Sequence, residues 1–121
     1  MAGKKIWYFP DAELPPKGSD PKLYGHESII VLNPNSSDAQ VSLTLYWTDR
    51  EPDRCRPITV SAKRVLCIRA EEGAGLAGVP VPICEQYAIA LESDVPVIVQ
   101  YGRLDVRQSN MAFYTTPGYT E

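Results

Sequence analysis

Residue types that build many enzyme active sites are scarce in this chain. Histidine occurs once, as His26, which excludes most histidine-based zinc sites and leaves a Ser/His/Asp triad with one candidate base. The G-x-S-x-G turn of serine hydrolases is absent. The three cysteines, Cys55, Cys67 and Cys84, include no C-x-x-C pair, so neither a zinc ribbon nor a thioredoxin motif is present. We therefore predict a protein that is not an enzyme and that uses no metal or cofactor.

Long hydrophobic runs and an excess of positive charge are also missing. The longest apolar run is Val95–Val99, whereas a membrane span needs about 20 apolar residues. The apolar part of the first ten residues is too short for a signal peptide. The net charge is -3, and nucleic-acid affinity comes mainly from neutralised phosphates. We therefore expect a cytoplasmic protein whose partners do not include nucleic acid.

Proline and glycine, in contrast, are frequent. The eleven prolines and eight glycines recur about every 10 to 20 residues and leave little room for a long helix. A hydrophobic fraction of 44% supplies a core and excludes disorder as the main state. The length of 121 residues predicts a single domain over residues 1–121 that folds without a disulfide or metal.

Short β-rich segments lie between these breakers. In Gln40–Thr48, apolar residues alternate with polar ones over eight positions, as in a strand with one buried face. Ser93-Asp94 predicts a turn, and Asp49–Pro57 a charged turn. The predicted strands are Lys5–Phe9, His26–Asn33, Gln40–Thr48, Ile58–Val60, Arg64–Arg69, Glu85–Glu92, Val95–Leu104 and Met111–Thr115. This pattern predicts an all-β fold, an antiparallel β-sandwich of seven or eight short strands.

One glycine-rich segment matches a nucleotide-binding pattern by letter only. Residues 73–78 read G-A-G-L-A-G, but Pro80 and Pro82 follow and exclude the helix that a dinucleotide site requires. We predict a flexible surface loop. Charge is also uneven, because residues 50–69 carry six basic residues and residues 70–96 carry five acidic and no basic ones. These blocks are either two solvated faces or two complementary faces that meet between subunits.

The densest polar segment is Gln100–Gln108, which follows a strongly apolar strand. Rigid scaffolds often present binding residues where a strand ends, and Arg103 and Arg107 carry planar donor groups suited to carboxylates or sugar hydroxyls. In the alternative, Asp105 pairs with one of these arginines and the segment caps the sandwich or joins subunits. Tyr46, on the polar face of its strand, is a candidate for an interface contact or for stacking on a sugar.

Three segments in this order and spacing together resemble the sensory rhodopsin transducer family. They are His26–Asn33, Tyr46–Pro52 and Val97–Gln108. The resemblance implies a β-sandwich that assembles as a homotetramer and binds a small polar metabolite, with sugars as the suspected ligands. It also implies a membrane photoreceptor as a signalling partner.

These observations favour a non-catalytic small-molecule-binding or signal-relay module. Arg103 would donate a forked pair of hydrogen bonds to the ligand and Glu27 would accept from its hydroxyls. The alternative is a structural or interaction protein whose polar cluster serves homotetramer assembly. The candidate ligand-binding residues are His26, Glu27, Tyr46, Gln100, Arg103, Asp105, Arg107 and Gln108.

Overall fold

The structure, a computed structural model, describes residues 2–121 and contains nine β-strands and no helix in that range. The strands are β1 (Lys4–Glu13), β2 (His26–Asn33), β3 (Ala39–Trp47), β4 (Asp53–Arg54), β5 (Ile58–Val60), β6 (Arg64–Ala70), β7 (Gln86–Asp105), β8 (Ala112–Pro117) and β9 (Tyr119–Thr120). Every pairing between these strands is antiparallel. The predicted all-β, antiparallel fold of the sandwich type is therefore confirmed.

Strand β7 connects the two parts of the fold. Its first half pairs with β1 and β3, and its second half pairs with β2 and β8. The remaining strands extend these two groups: β9 pairs with β1, β4 and β5 pair with β3, and β6 pairs with β2. The register between β1 and β7 shifts between Lys4 and Ile6, at the point where β7 leaves the first group. Strands commonly pass from one sheet to another at such irregularities.

The turn predicted at Ser93-Asp94 is wrong, because both residues lie inside the 20-residue strand β7. Ser93 is buried opposite Val41, and the Asp94 carboxylate accepts a hydrogen bond from the backbone N–H of Gln40 at 2.8 Å. The Asp94 side chain thus contacts β3, and the dipeptide does not turn the chain. The two predicted strands on either side of it are one strand.

The alternation predicted for β3 is confirmed. Val41, Leu43 and Leu45 are fully buried and belong to a core that also receives Ile29 and Val99 from the second group of strands. Both groups therefore cover one continuous hydrophobic core. Because burial of apolar surface is the main favourable term in folding, this core holds the two groups together.

Trp47, the last apolar residue in the alternation of Gln40–Thr48, is only half-buried. Its ring stacks on Tyr87 with the centroids 5.5 Å apart, and the Arg50 guanidinium lies 4.2 Å from the centre of the indole. The indole N–H donates to Asp53 at 2.9 Å, and Asp53 lies in the short strand β4 within the predicted charged turn. Trp47 therefore closes the end of the core.

The glycine-rich segment is packed into the protein, contrary to the prediction of a flexible surface loop. Leu76, Ala77 and Val81 are buried and belong to the core. The Ala77 carbonyl accepts from the backbone N–H of Arg56 at 3.1 Å, which ties the segment to residues before β5. Leu76 and Ala77, between the glycines, and Val81, after them, thus supply core contacts, and the glycines supply the turns.

Candidate functional site

The candidate site is built around a buried carboxylate. Glu27 lies near the start of β2 with only 1% of its surface exposed. Its Oε1 accepts a hydrogen bond from the Tyr87 hydroxyl at 2.5 Å, and its Oε2 accepts from the Tyr101 hydroxyl. The backbone N–H of Glu13 also donates to Oε2, at 3.1 Å. These three donors take the place of the water molecules that the carboxylate loses on burial.

Both tyrosines come from β7, which explains how the fold forms this cluster. In a straight strand, residues 14 positions apart would be separated by about 46 Å. Since Tyr87 and Tyr101 reach the same carboxylate, β7 must bend strongly between them. The bend coincides with the passage of β7 from one group of strands to the other. The cluster therefore joins β1, β2 and both halves of β7.

Burial raises the pKa of the Glu27 carboxyl, while the hydrogen bonds from Tyr101, Tyr87 and Glu13 and the nearby charge of Arg103 act in the opposite direction. Burial also raises the pKa of Tyr87 and of Tyr101, and the adjacent Glu27 carboxylate raises both further. The two phenols therefore keep their protons at neutral pH and serve as donors to Glu27.

Arg103 lies beside this cluster. It faces Glu27 on β2 and Tyr114 on β8 across the sheet, so the three side chains share one face. Its Nη1 donates to the Glu13 carbonyl at 3.2 Å, and its guanidinium lies 4.8 Å from the centre of the Tyr114 ring. Two side chains thus bind the backbone of Glu13: its N–H donates to Glu27, and its carbonyl accepts from Arg103.

A groove of about 600 Å³ adjoins the cluster. It is lined by Phe9, Tyr101, Tyr114 and Tyr119, together with Asp11 and the segment from Thr115 to Gly118, and of these Phe9 and Tyr101 are buried. Tyr101 belongs to both structures, because it is a lining residue of the groove, although fully buried, and its hydroxyl donates to Glu27. The groove can accept a ligand that presents a ring face and hydroxyl groups.

Comparisons with known proteins agree with this architecture. The family model described as Anabaena sensory rhodopsin transducer matches residues 2–120. The chain belongs to the Anabaena sensory rhodopsin transducer family. Among solved structures, the protein titled Crystal Structure of Thermotoga maritima 1070 is similar with a TM-score of 0.87 and 32% identity, over 100% of this chain and 97% of that one. The Anabaena sensory rhodopsin transducer is similar with a TM-score of 0.72 and 32% identity, over 90% and 95%.

The resemblance drawn from the sequence is thereby confirmed, and membership in this transducer family supports a role as a signal-relay module. A comparison with curated protein sequences gave no match. Over residues 2–121, no helix is long and apolar enough to cross a membrane. The same residues contain no group of three or more His, Cys, Asp or Glu side chains placed to hold a metal ion.

Four of the predicted site residues contact Glu13 directly or through a neighbour. They are Glu27, Arg103, Arg107 and its partner Asp105. Glu27 and Arg103 contact the Glu13 backbone, as described above. Arg107 binds Asp105 through two nitrogens, with Nη2 to Oδ2 at 2.5 Å, and its Nη1 lies 3.6 Å from the Glu13 carboxylate. The pairing of Asp105 with an arginine, one of the two sequence alternatives, is therefore present. It uses Arg107 and leaves Arg103 beside Tyr114.

The other four predicted site residues lie elsewhere. His26 projects from the opposite face of β2 to Glu27, and its Nδ1–H donates to the Tyr24 carbonyl at 2.8 Å. Tyr46 is 43% exposed on β3, and Gln100 is exposed on β7 opposite Ile30. Gln108 is exposed beyond β7.

Sequence reasoning missed Asp11 and four tyrosines, which are Tyr87, Tyr101, Tyr114 and Tyr119. Tyr101 is in phase with the buried Val97 and Val99, which marks it as a core residue with a polar tip. A buried tyrosine hydroxyl needs an acceptor, and Glu27, which precedes the apolar residues of β2, needs donors. These complementary requirements are the sequence signal from which a contact between Tyr101 and Glu27 could have been predicted. Asp11 and Tyr119 carried no such signal, because Asp11 lies at the register shift between Phe9 and Ala12 in the β1–β7 pairing, and Tyr119 is placed by the pairing of β9 with β1.

Proposed function

We propose that this transducer-family protein is a non-catalytic signal-relay module that binds a small hydroxyl-rich metabolite, such as a sugar, in the groove beside Tyr101. The observation that carries the proposal is the shared position of Tyr101, which lines the groove and donates to the buried Glu27. A ligand that displaces the Tyr101 ring or hydroxyl therefore changes a hydrogen-bond network that joins three strands.

The groove has the composition that sugar recognition requires. Rings such as Tyr114 and Tyr119 offer faces for the apolar side of a pyranose, and the Asp11 carboxylate can accept from its hydroxyls. Its volume of about 600 Å³ lies within the range of about 300–1,000 Å³ typical of small-molecule sites. The Arg103 guanidinium lies over the Tyr114 ring, so a ligand that moves this ring also changes the surroundings of Arg103.

Thermal unfolding in the presence of neutral sugars and sugar acids tests this proposal. A ligand at 100 times its dissociation constant should add about 2.7 kcal/mol to the free energy of unfolding. The Asp11→Asn variant should lose most of this stabilisation, whereas Glu51→Gln, which neutralises an exposed carboxylate outside the groove, should keep it. If no compound in the panel stabilises the wild type, or if Asp11→Asn responds as the wild type does, the groove is not the binding site.

A second candidate function, homotetramer assembly, is favoured by an exposed apolar row. Leu32, Val65 and Ile98 lie side by side on β2, β6 and β7, and they are 40%, 63% and 38% exposed. Contact between copies of the chain would cover this row. Light scattering should then give four times the chain mass for the wild type and for Asp11→Asn, and a lower mass for Val65→Glu. A monomeric wild type would contradict this candidate.

We also propose a membrane photoreceptor as the upstream partner, and with it a cytoplasmic location. The support is membership in a family described as a sensory rhodopsin transducer. Calorimetric titration of the chain against a detergent-solubilised sensory rhodopsin, in the dark and under illumination, should give binding whose affinity depends on light. Equal affinity in both conditions would contradict the relay.

A further inference from the structure

A second groove, separate from the one beside Tyr101, lies along β6. It encloses about 420 Å³. Pro57, Ile58, Leu66, Ile68 and Ala77 supply its apolar walls, and Cys67 also lines it. The remaining lining residues are Arg56 and Arg69, both exposed, and no Asp or Glu lines the groove.

Neither arginine is neutralised by an ion pair within residues 2–121. The ion pairs in that range involve Arg50 and Arg107 only. The positive charge of Arg56 and Arg69 is therefore available to a ligand, and planar guanidinium groups bind phosphate and carboxylate groups through paired hydrogen bonds.

Neutral groups contact the Arg69 side chain and the Arg56 backbone. Arg69 donates from Nη1 to the Tyr24 hydroxyl at 2.9 Å, and its guanidinium lies 5.7 Å from the centre of that ring. The backbone N–H of Arg56 donates to the Ala77 carbonyl at 3.1 Å, and a Cβ built on Gly78 would lie 3.2 Å from Arg56 Nη1. Gly78 thus makes room for the guanidinium. Because neither cation has an ion pair within residues 2–121, an anion would not have to displace a carboxylate from them.

The edge of β6 adds further donors. Within the described part of the chain, β6 pairs with β2 alone, and the consecutive residues Leu66–Arg69 line the groove. An edge strand leaves alternate backbone N–H groups unpaired, and such groups can donate to an anion.

We propose that this groove binds a small organic anion, with its phosphate or carboxylate group between Arg56 and Arg69 and an apolar body against Ile58 and Ile68. The inference does not depend on the sugar proposal, because the two grooves share no lining residue. Duplex nucleic acid fits less well, since it is bound through many phosphate contacts and the chain has a net charge of -3.

Calorimetric titration with phenyl phosphate tests the proposal, with inorganic phosphate and benzoate as comparison ligands. Both organic anions should bind more tightly than inorganic phosphate, because only they place a ring on the apolar wall. Arg56→Gln and Arg69→Gln should each weaken phenyl phosphate binding by about tenfold or more, as expected for loss of a charge-assisted hydrogen-bonding group. Arg64→Gln, which removes an exposed charge outside the groove, should leave the affinity unchanged within about twofold.

Amide chemical shifts locate the binding. Phenyl phosphate should shift the amide signals of Ile58, Ile68 and Ala77 and leave those of Thr115 and Tyr119 in place. The proposal is overturned if phenyl phosphate does not bind at millimolar concentration, or if Arg56→Gln and Arg64→Gln weaken it equally. It is also overturned if a 20-base-pair duplex binds more tightly, with an affinity that falls steeply with salt.

Discussion

At the scale of single residues, the central feature is a carboxylate that the fold buries and then supplies with donors. Glu27 receives two phenol hydrogen bonds and one backbone N–H. Removing a donor from such a cluster leaves a buried acceptor unpaired, which costs more than an ordinary hydrogen bond contributes. The stability of the site therefore depends on each phenol hydroxyl.

Replacing Tyr87 by phenylalanine tests this dependence. The Tyr87→Phe variant keeps the ring stacked on Trp47 but leaves Glu27 Oε1 without its donor. We expect a loss of about 1–3 kcal/mol in the free energy of unfolding, measured by urea denaturation. Tyr46→Phe removes a hydroxyl from an exposed tyrosine and should change stability by less than about 0.5 kcal/mol. Equal effects of the two substitutions would refute the role of the Tyr87 hydroxyl.

The raised pKa of Glu27 lets us predict how the stability of the protein depends on pH. A folded-state pKa above the unfolded one means that the folded protein binds more protons in the interval between the two values. The contribution of Glu27 to stability is then fully present below its ordinary pKa of 4.5 and decreases as pH rises through the folded-state value. Above pH 4.5, the free energy of unfolding of the wild type should therefore decrease relative to that of Glu27→Gln. A shift in favour of the wild type would show a lowered pKa.

At the scale of elements, β7 and the glycine-rich segment show what sequence patterns could and could not predict. The bounds of β2 and β5 agree with prediction, because alternation and flanking breakers define them locally. The continuity of β7 through Ser93 and Asp94 depends on a contact with Gln40, 54 positions away, which no local pattern contains. The burial of Leu76 likewise depends on packing against distant strands.

Two glycines of the glycine-rich segment, the exposed Gly73 and the buried Gly75, make a matched pair of substitutions. Gly73 and Gly75 both have positive φ, +86° and +69°. A Cβ on Gly73 meets nothing within 4 Å, whereas one on Gly75 would lie 2.2 Å from the Val79 carbonyl oxygen. Gly73→Ala should cost about 1–2 kcal/mol from backbone strain alone, and Gly75→Ala about 1–3 kcal/mol more because the backbone must shift.

Thermal denaturation of the two variants compares these costs. The Gly75→Ala variant should melt several degrees below Gly73→Ala. Equal melting temperatures would show that the segment is not packed as described.

At the scale of the whole molecule, the fold class and the family could be predicted from the sequence, and the site only in part. Glu27 and Arg103 could be found because they lie in segments that resemble the transducer family. The groove could not, since β8 and β9 must first pair with β7 and β1 to bring Tyr114 and Tyr119 together. The basic block found in the sequence contributes Arg56 and Arg69 to the second groove.

The central claim is that Tyr101 couples groove occupancy to Glu27. Two-dimensional amide spectra of the wild type and of Tyr101→Phe, recorded during titration with a sugar that stabilises the wild type, test it most directly. In the wild type, we predict shifts at the groove residues Thr115 and Tyr119 and also at Glu27 and Tyr87. In Tyr101→Phe, the groove signals should still shift while those of Glu27 and Tyr87 stay in place. Shifts at Glu27 and Tyr87 of equal size in both proteins would contradict the coupling.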